Sequence, residues 1–218
     1  MHVVVGGGGS AEQELEVLAR FASALGSNAR VLNIPWAQVE PAARDLAAWV
    51  CSTLSAHGVG RVDTASSVGL PSAGLDAYDG LFIGGGNTYL LLDRFRSTGL
   101  AKHLVAAVRA GVPCYGGSAG AIVLGAHIDT CAHLDRDEVG TVDARGLDLF
   151  GGLAVWCHYS SHDDEGIRSF ARKTRLSVLA IEENAGLAFD GVKLTPIGPG
   201  SARVWTAEGP LEAPTTSR

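Results

Sequence analysis

Short apolar runs closed by glycine alternate with longer segments of helical period along most of the chain. The runs are Val3–Val5, Val31–Ile34, Gly60–Val62, Gly80–Ile83 and Pro113–Tyr115, and the helical segments are Ala11–Leu25, Pro41–His57, Thr88–Phe95 and Leu100–Ala110. Apolar runs this short do not suit a buried helix. Each suits a strand covered on both faces, and strands separated by helices give βα units around a mostly parallel sheet. Pro41 suits a first helical turn and Gly111 a helix stop. Beyond residue 118 the pattern predicts a helix to about Leu124 and a polar loop or hairpin over Asp129–Arg145. It then predicts a strand at Leu153–Cys157, a helix at His162–Lys173, and strands at Val178–Ile181, Gly186–Phe189 and Ala202–Trp205. No internal repeat or linker divides the chain, so a single α/β domain over residues 1–209 is expected, with a frayed tail at 210–218.

Composition narrows the class of function. Of 218 residues, 46% are hydrophobic and 18% are charged. That balance supplies a large core and excludes a disordered or disulfide-stapled chain. Seventeen Lys and Arg against 23 Asp and Glu leave a net charge of −6. With no basic run to track phosphates, nucleic acid is not an expected partner. Cys51, Cys114, Cys131 and Cys157 lack metal-site spacing. The N-terminus lacks a signal-peptide pattern. No apolar run approaches the roughly 20 residues of a membrane span. A cytoplasmic protein without a membrane partner is expected, and a homo-oligomer is compatible with the sequence.

The segment Pro113-Cys114-Tyr115-Gly116-Gly117-Ser118-Ala119-Gly120-Ala121 matches G-x-S-x-G where a strand gives way to a helix. A serine on that sharp turn, the nucleophile elbow, needs small neighbours at Gly116 and Gly120, and the helix start aims the Ala119 N–H at the reacting atom. Ser118 as a plain helix cap is the alternative. A second strand end, Gly84-Gly85-Gly86-Asn87-Thr88, offers another oxyanion donor, or else a tight turn capped by Asn87 or Thr88. The run Gly6-Gly7-Gly8-Gly9-Ser10 reads as a structural turn rather than a dinucleotide cradle. Among seven histidines, His158 ends a predicted strand at the sheet edge and is the best placed base. The acid that would orient it is open among Asp129, Asp135, Asp137, Glu138 and Asp143.

The two glycine motifs together with His158 resemble the peptidase E and cyanophycinase family of serine peptidases, over roughly Met1–Gly191. The resemblance implies a three-layer α/β sandwich similar to class I glutamine amidotransferases and cleavage of short peptides without a cofactor or metal. It also implies Ser118 as nucleophile, His158 as base, and Gly85 or Gly86 with Ala119 as the oxyanion hole. Matching positions back from His158 puts the acid at Glu138, with Asp137 and then Asp135 behind it. The branch that takes Asp-Xaa dipeptides has a basic residue shortly after the histidine loop. Here the loop reads His162-Asp163-Asp164-Glu165, which favours a free amino terminus or a basic side chain at a substrate site built from Asn87, His162, Asp163 and Asp164. Glu182 and Glu183 resemble an acidic pair near the end of the family domain, where lining the site, capping and surface roles are all open. Alternatives are a cyanophycinase-like release of β-Asp-Arg, an esterase of the α/β-hydrolase order, a metal hydrolase using His158, His162 and Asp163 or Asp164, and a silent binding protein.

Overall fold

A computed structural model describes residues 1–66 and 74–211. Its strands are β1 (Val3–Gly6), β2 (Arg30–Ile34), β3 (Arg61–Thr64), β4 (Gly80–Ile83), β5 (Cys114–Gly117), β6 (Leu153–Trp156), β7 (Ser177–Ile181), β8 (Gly186–Phe189), β9 (Leu194–Ile197) and β10 (Ala202–Trp205). The α-helices are α1 (Leu15–Ser23), α2 (Ala42–Ala56), α3 (Thr88–Ser97), α4 (Leu100–Arg109), α5 (Ala119–Leu124) and α6 (Asp164–Thr174). Seven strands form one sheet in the order β3-β2-β4-β5-β1-β8-β9. The first five run parallel, while β8 and β9 add antiparallel.

Side chains alternate across this sheet, so each strand feeds two cores. Val4, Val31, Phe82 and Tyr115 face α1 and α2, where Val17, Leu18, Phe21, Val50 and Leu54 cover them. Val3, Val5, Leu32, Ile34, Leu81 and Ile83 face the other way, onto Leu91, Phe95, Leu104, Val108 and the wholly buried α5. The result is three layers around well-filled cores. Phe82 is fully buried in one of them. Truncating a ring so placed costs about 3–5 kcal/mol.

A second sheet holds β10-β7-β6, with β6 and β7 parallel and β10 antiparallel. Trp156, Val178, Ala180 and Trp205 pack on Ile167 and Ala171 of α6, while Val155, Leu179 and Ile181 join the main core. Strand β9 has no counterpart among the expected strands. It is an edge strand carrying Pro196, a residue that argues against a strand in sequence yet is tolerated where one side needs no partner. The polar stretch is the expected loop, closed at its base by the Ile128 N–H to the Ala144 carbonyl at 2.8 Å. Of the expected frayed tail, Leu211 donates to the Val204 carbonyl at 2.7 Å, and residues 212–218 lie outside the described residues. Among the described residues, no helix is long and apolar enough to cross a membrane.

Candidate active site

Strand β5 delivers Ser118 onto the turn before α5 with φ 49 and ψ −113. That region costs a non-glycine residue about 1–3 kcal/mol. Close packing holds the turn there. A Cβ at Gly116 would lie 2.7 Å from the Gly120 carbonyl oxygen, and one at Gly120 would overlap the Ile83 carbonyl. Only glycines let the turn sit this tightly between β4 and α5. His158 follows β6, also at positive φ (53°), and its Nε2 lies 2.9 Å from Ser118 Oγ. Its Nδ1 lies 2.9 Å from Glu183 Oε1. That contact fixes the tautomer in which Nδ1–H donates to the carboxylate and Nε2 accepts the serine proton.

The carboxylate at His158 is therefore Glu183, on the turn after β7, and not Glu138. Glu138 is exposed on the polar loop. Its neighbours are committed elsewhere: Asp137 accepts the N–H groups of Val139, Gly140 and Thr141, and Asp135 accepts the Thr88 N–H at 2.8 Å, at the start of α3. Counting back from the histidine fails because β7 runs beside β6 and brings a later turn, 25 residues downstream, against the imidazole. The resemblance already marks Glu183, with Glu182, as an acidic pair open to lining the site, and the signal that ties it to the histidine is its position two residues beyond an apolar strand, the same relation that His158 has to Trp156.

Other expected ligand groups are engaged in the scaffold. Asn87 caps α3 through its side-chain oxygen, which accepts the Leu90 N–H at 2.9 Å, while its amide donates to the Arg136 carbonyl at 2.8 Å. Asp163 accepts the Ser160 N–H at 2.8 Å, Asp164 accepts the Tyr159 hydroxyl at 2.9 Å, and His162 is exposed on the same turn. Asp163 closes the capping box of the short turn Ser161–Asp163 that leads into α6, and Asp164 opens α6 itself, which explains these two carboxylates without a substrate. Gly85 stays beside Ser118, where an added Cβ would lie 3.2 Å from Ser118 Cβ, whereas Gly86 backs onto the Ala37 carbonyl in the loop after β2. Ala119 begins α5 directly after Ser118. His133 stacks on Trp156 and His127 meets Phe170 edge-on, so both are packing residues. Among the described residues, no three His, Cys, Asp or Glu side chains are grouped to hold a metal ion.

The turn after β1 plays a larger part than its sequence suggests. The Gly6 carbonyl accepts the Ser118 N–H at 3.3 Å, the Gly7 carbonyl accepts the His158 N–H at 2.9 Å, and the Gly7 N–H donates to the Ala185 carbonyl at 3.0 Å. A Cβ at Gly8 (φ 95) would lie 2.5 Å from His158 Nε2 and 2.9 Å from Ser118 Cβ, and one at Gly9 would overlap the Glu183 carbonyl. The consecutive glycines thus form the seam where serine, histidine and glutamate meet, and their uninterrupted run was the available signal.

Beneath that seam lies Glu14, 4% exposed, accepting the Gly8 N–H at 2.9 Å and the Tyr115 hydroxyl. Burial holds its carboxyl above the usual range, partly offset by these hydrogen bonds. Burial pushes Cys114 and Cys131 up to about 12 and drives Cys157, behind Ser118, higher still.

Residues 2–197 match the model of peptidase family S51. A peptidase E of Citrobacter koseri is 30% identical over 83% of this chain and 82% of its own length. A peptidase E of Streptomyces coelicolor is 31% identical over 63% of this chain, and the match spans 59% of that protein, less than two thirds of it. Two solved structures share the fold. One is from Listeria monocytogenes EGD-e, provisionally assigned to peptidase E, with TM-score 0.70, 19% identity, and 91% of this chain and 98% of that chain covered. The other is a peptidase from an acI-B1 Actinobacterium, with TM-score 0.70, 18% identity, and coverages of 99% and 95%. By the extent of the family match and by its relatives, this chain belongs to peptidase family S51.

Proposed function

We propose that the protein is a serine peptidase that cleaves short peptides through an acyl-enzyme, with Ser118, His158 and Glu183 as its catalytic residues. The observation that carries this reading is the relay from Ser118 Oγ to His158 Nε2 and from Nδ1 to Glu183, each step 2.9 Å. It stands on a strand–turn–helix that forms the nucleophile elbow. In this mechanism Ser118 Oγ attacks the peptide carbonyl as His158 Nε2 takes its proton. The tetrahedral oxyanion is held by the N–H groups of Ala119 and Gly85. The C–N bond then breaks, the leaving amine takes the proton from His158, and water, activated by the same imidazole, releases the acyl group. Glu183 keeps the imidazole in register and stabilises its charged form without accepting the proton.

The chain order Ser118, His158, Glu183 departs from the serine, acid, histidine order of α/β-hydrolase esterases and removes the support that Glu138 lent that reading. Relatives named peptidase E favour a peptide substrate. Four free cysteines fit a reducing cytoplasm. The test is hydrolysis of a dipeptide and tripeptide panel, with ester controls, by wild type beside Ser118→Ala. Peptide cleavage lost in the variant is expected. Cleavage of esters alone, or activity kept in the variant, would overturn the assignment.

A further inference from the structure

A recess of about 150 Å³ opens beside Ser118, between the ends of β4 and β5 and the helices α1 and α2. Ser118 and Gly85 form its mouth, Trp49, Phe82 and Tyr115 are its aromatic wall, and Glu14 is its one carboxylate among the described residues. Phe82 and Tyr115 stack with centroids 4.4 Å apart, and Trp49 meets Phe82 edge-on at 6.3 Å. Among the described residues, no lysine, arginine or histidine lines the recess. The hydrogen-bond donors to Glu14, backbone N–H groups of the glycine turn and the Tyr115 hydroxyl, are neutral. A carboxylate taken out of water without a cation is a costly arrangement, and a desolvated cation is most strongly held where a carboxylate and aromatic faces converge.

We propose that this recess receives the lysine or arginine side chain of the residue whose carbonyl Ser118 attacks, with Glu14 as the specificity-determining carboxylate. The aliphatic stem lies along the aromatic wall and the cationic end pairs with Glu14. An aspartyl side chain meets repulsion in the same place. This deepens the peptidase reading and rests on it, because it assumes that the substrate carbonyl stands at Ser118. The preference for a basic group expected from the loop at His162–Glu165 is thereby carried by a different acid, since Asp163 is engaged by Ser160 and Asp164 by the Tyr159 hydroxyl.

The test is calorimetric binding of L-lysinamide and L-norleucinamide to the Ser118→Ala protein, which reads the pocket independently of turnover. The two share the stem and the α-amine and differ in the side-chain charge. Lysinamide is expected to bind about tenfold or more tightly, the range of one charge-assisted hydrogen bond. ε-N-acetyl-lysinamide is expected to bind no better than norleucinamide, and in Ser118→Ala with Glu14→Gln the ratio of lysinamide to norleucinamide should fall to near one. Equal affinities, no detectable lysinamide binding, or acetylated lysinamide binding as well as lysinamide would overturn the proposal. Should the double variant fail to fold, the comparison in Ser118→Ala decides alone. Absence of Ser118-dependent hydrolysis would instead sink the peptidase reading and leave the binding difference standing.

Discussion

Ser118 and His158 stand on sheets of different build. The seven-stranded sheet is covered on both faces by helices and sets the serine by local means, a strand end, a strained turn and the start of α5. The three-stranded sheet has its own small cluster under α6 and presents His158 and Glu183 from adjacent parallel strands. The glycine seam after β1 and the shared core residues Val155, Leu179 and Ile181 join the two. Ser118 is thus placed by local geometry, while its contact with His158 depends on how two sheets are docked.

The largest test of that division is Ser118→Ala, expected to lower kcat at least about 10⁴-fold while leaving thermal unfolding nearly unchanged. Next is Glu183→Gln, with an expected loss near 10²-fold in kcat. The Glu183 side chain is 51% exposed. Solvent therefore shares its work, and the loss is smaller than for a fully buried acid. Glu138→Gln should stay within about twofold of wild type, as expected for an exposed loop residue. A large loss in Glu138→Gln with none in Glu183→Gln would return the acid to the polar loop.

Two core substitutions probe the same contrast. Ile34 in the large sheet and Ile167 under the small one are both fully buried. Ile34→Val and Ile167→Val each remove one methylene, at an expected cost of roughly 1 kcal/mol in denaturant unfolding. Only Ile167→Val is expected to lower kcat/KM as well, because it loosens the support of His158 and Glu183. Equal effects on activity would dissolve the distinction between the sheets.

The smallest effect is a pH slope from Glu14. Burial raises its folded pKa above the ordinary 4.5, so the native state binds more protons than the unfolded one in that window. The stability this contributes is present below the unfolded pKa and lost as pH rises through the folded one. Glu14→Gln should flatten that decline in a melting-temperature series, and an unchanged series would argue against a desolvated carboxylate.

Much of the scaffold was legible because strand length, glycine punctuation and helical period are local properties. Val3–Val5, Gly80–Ile83 and Gly186–Phe189 read as strands from their apolar runs alone, while Leu194–Ile197 did not, since Pro196 masks an edge strand whose pairing is decided by β8. At the site, the turn that carries Ser118 and the strand end that carries His158 were legible for the same reason. The engagement of the loop acids was not, because a carboxylate that closes a turn, such as Asp163 or Asp137, looks in sequence like one that faces substrate.

Local pattern was enough for the layered α/β architecture, the strained serine turn between β5 and α5, and a histidine at a strand end. These follow from spacing, glycine tolerance and burial along short stretches of chain. The packed fold was needed to bring Glu183 to His158, to make Gly6–Gly9 the joint between the two sheets, and to bury Glu14 beside the nucleophile. Each of these contacts is a meeting of strand ends or loops far apart in the chain. Such meetings depend on strand order and sheet docking, which no local pattern encodes.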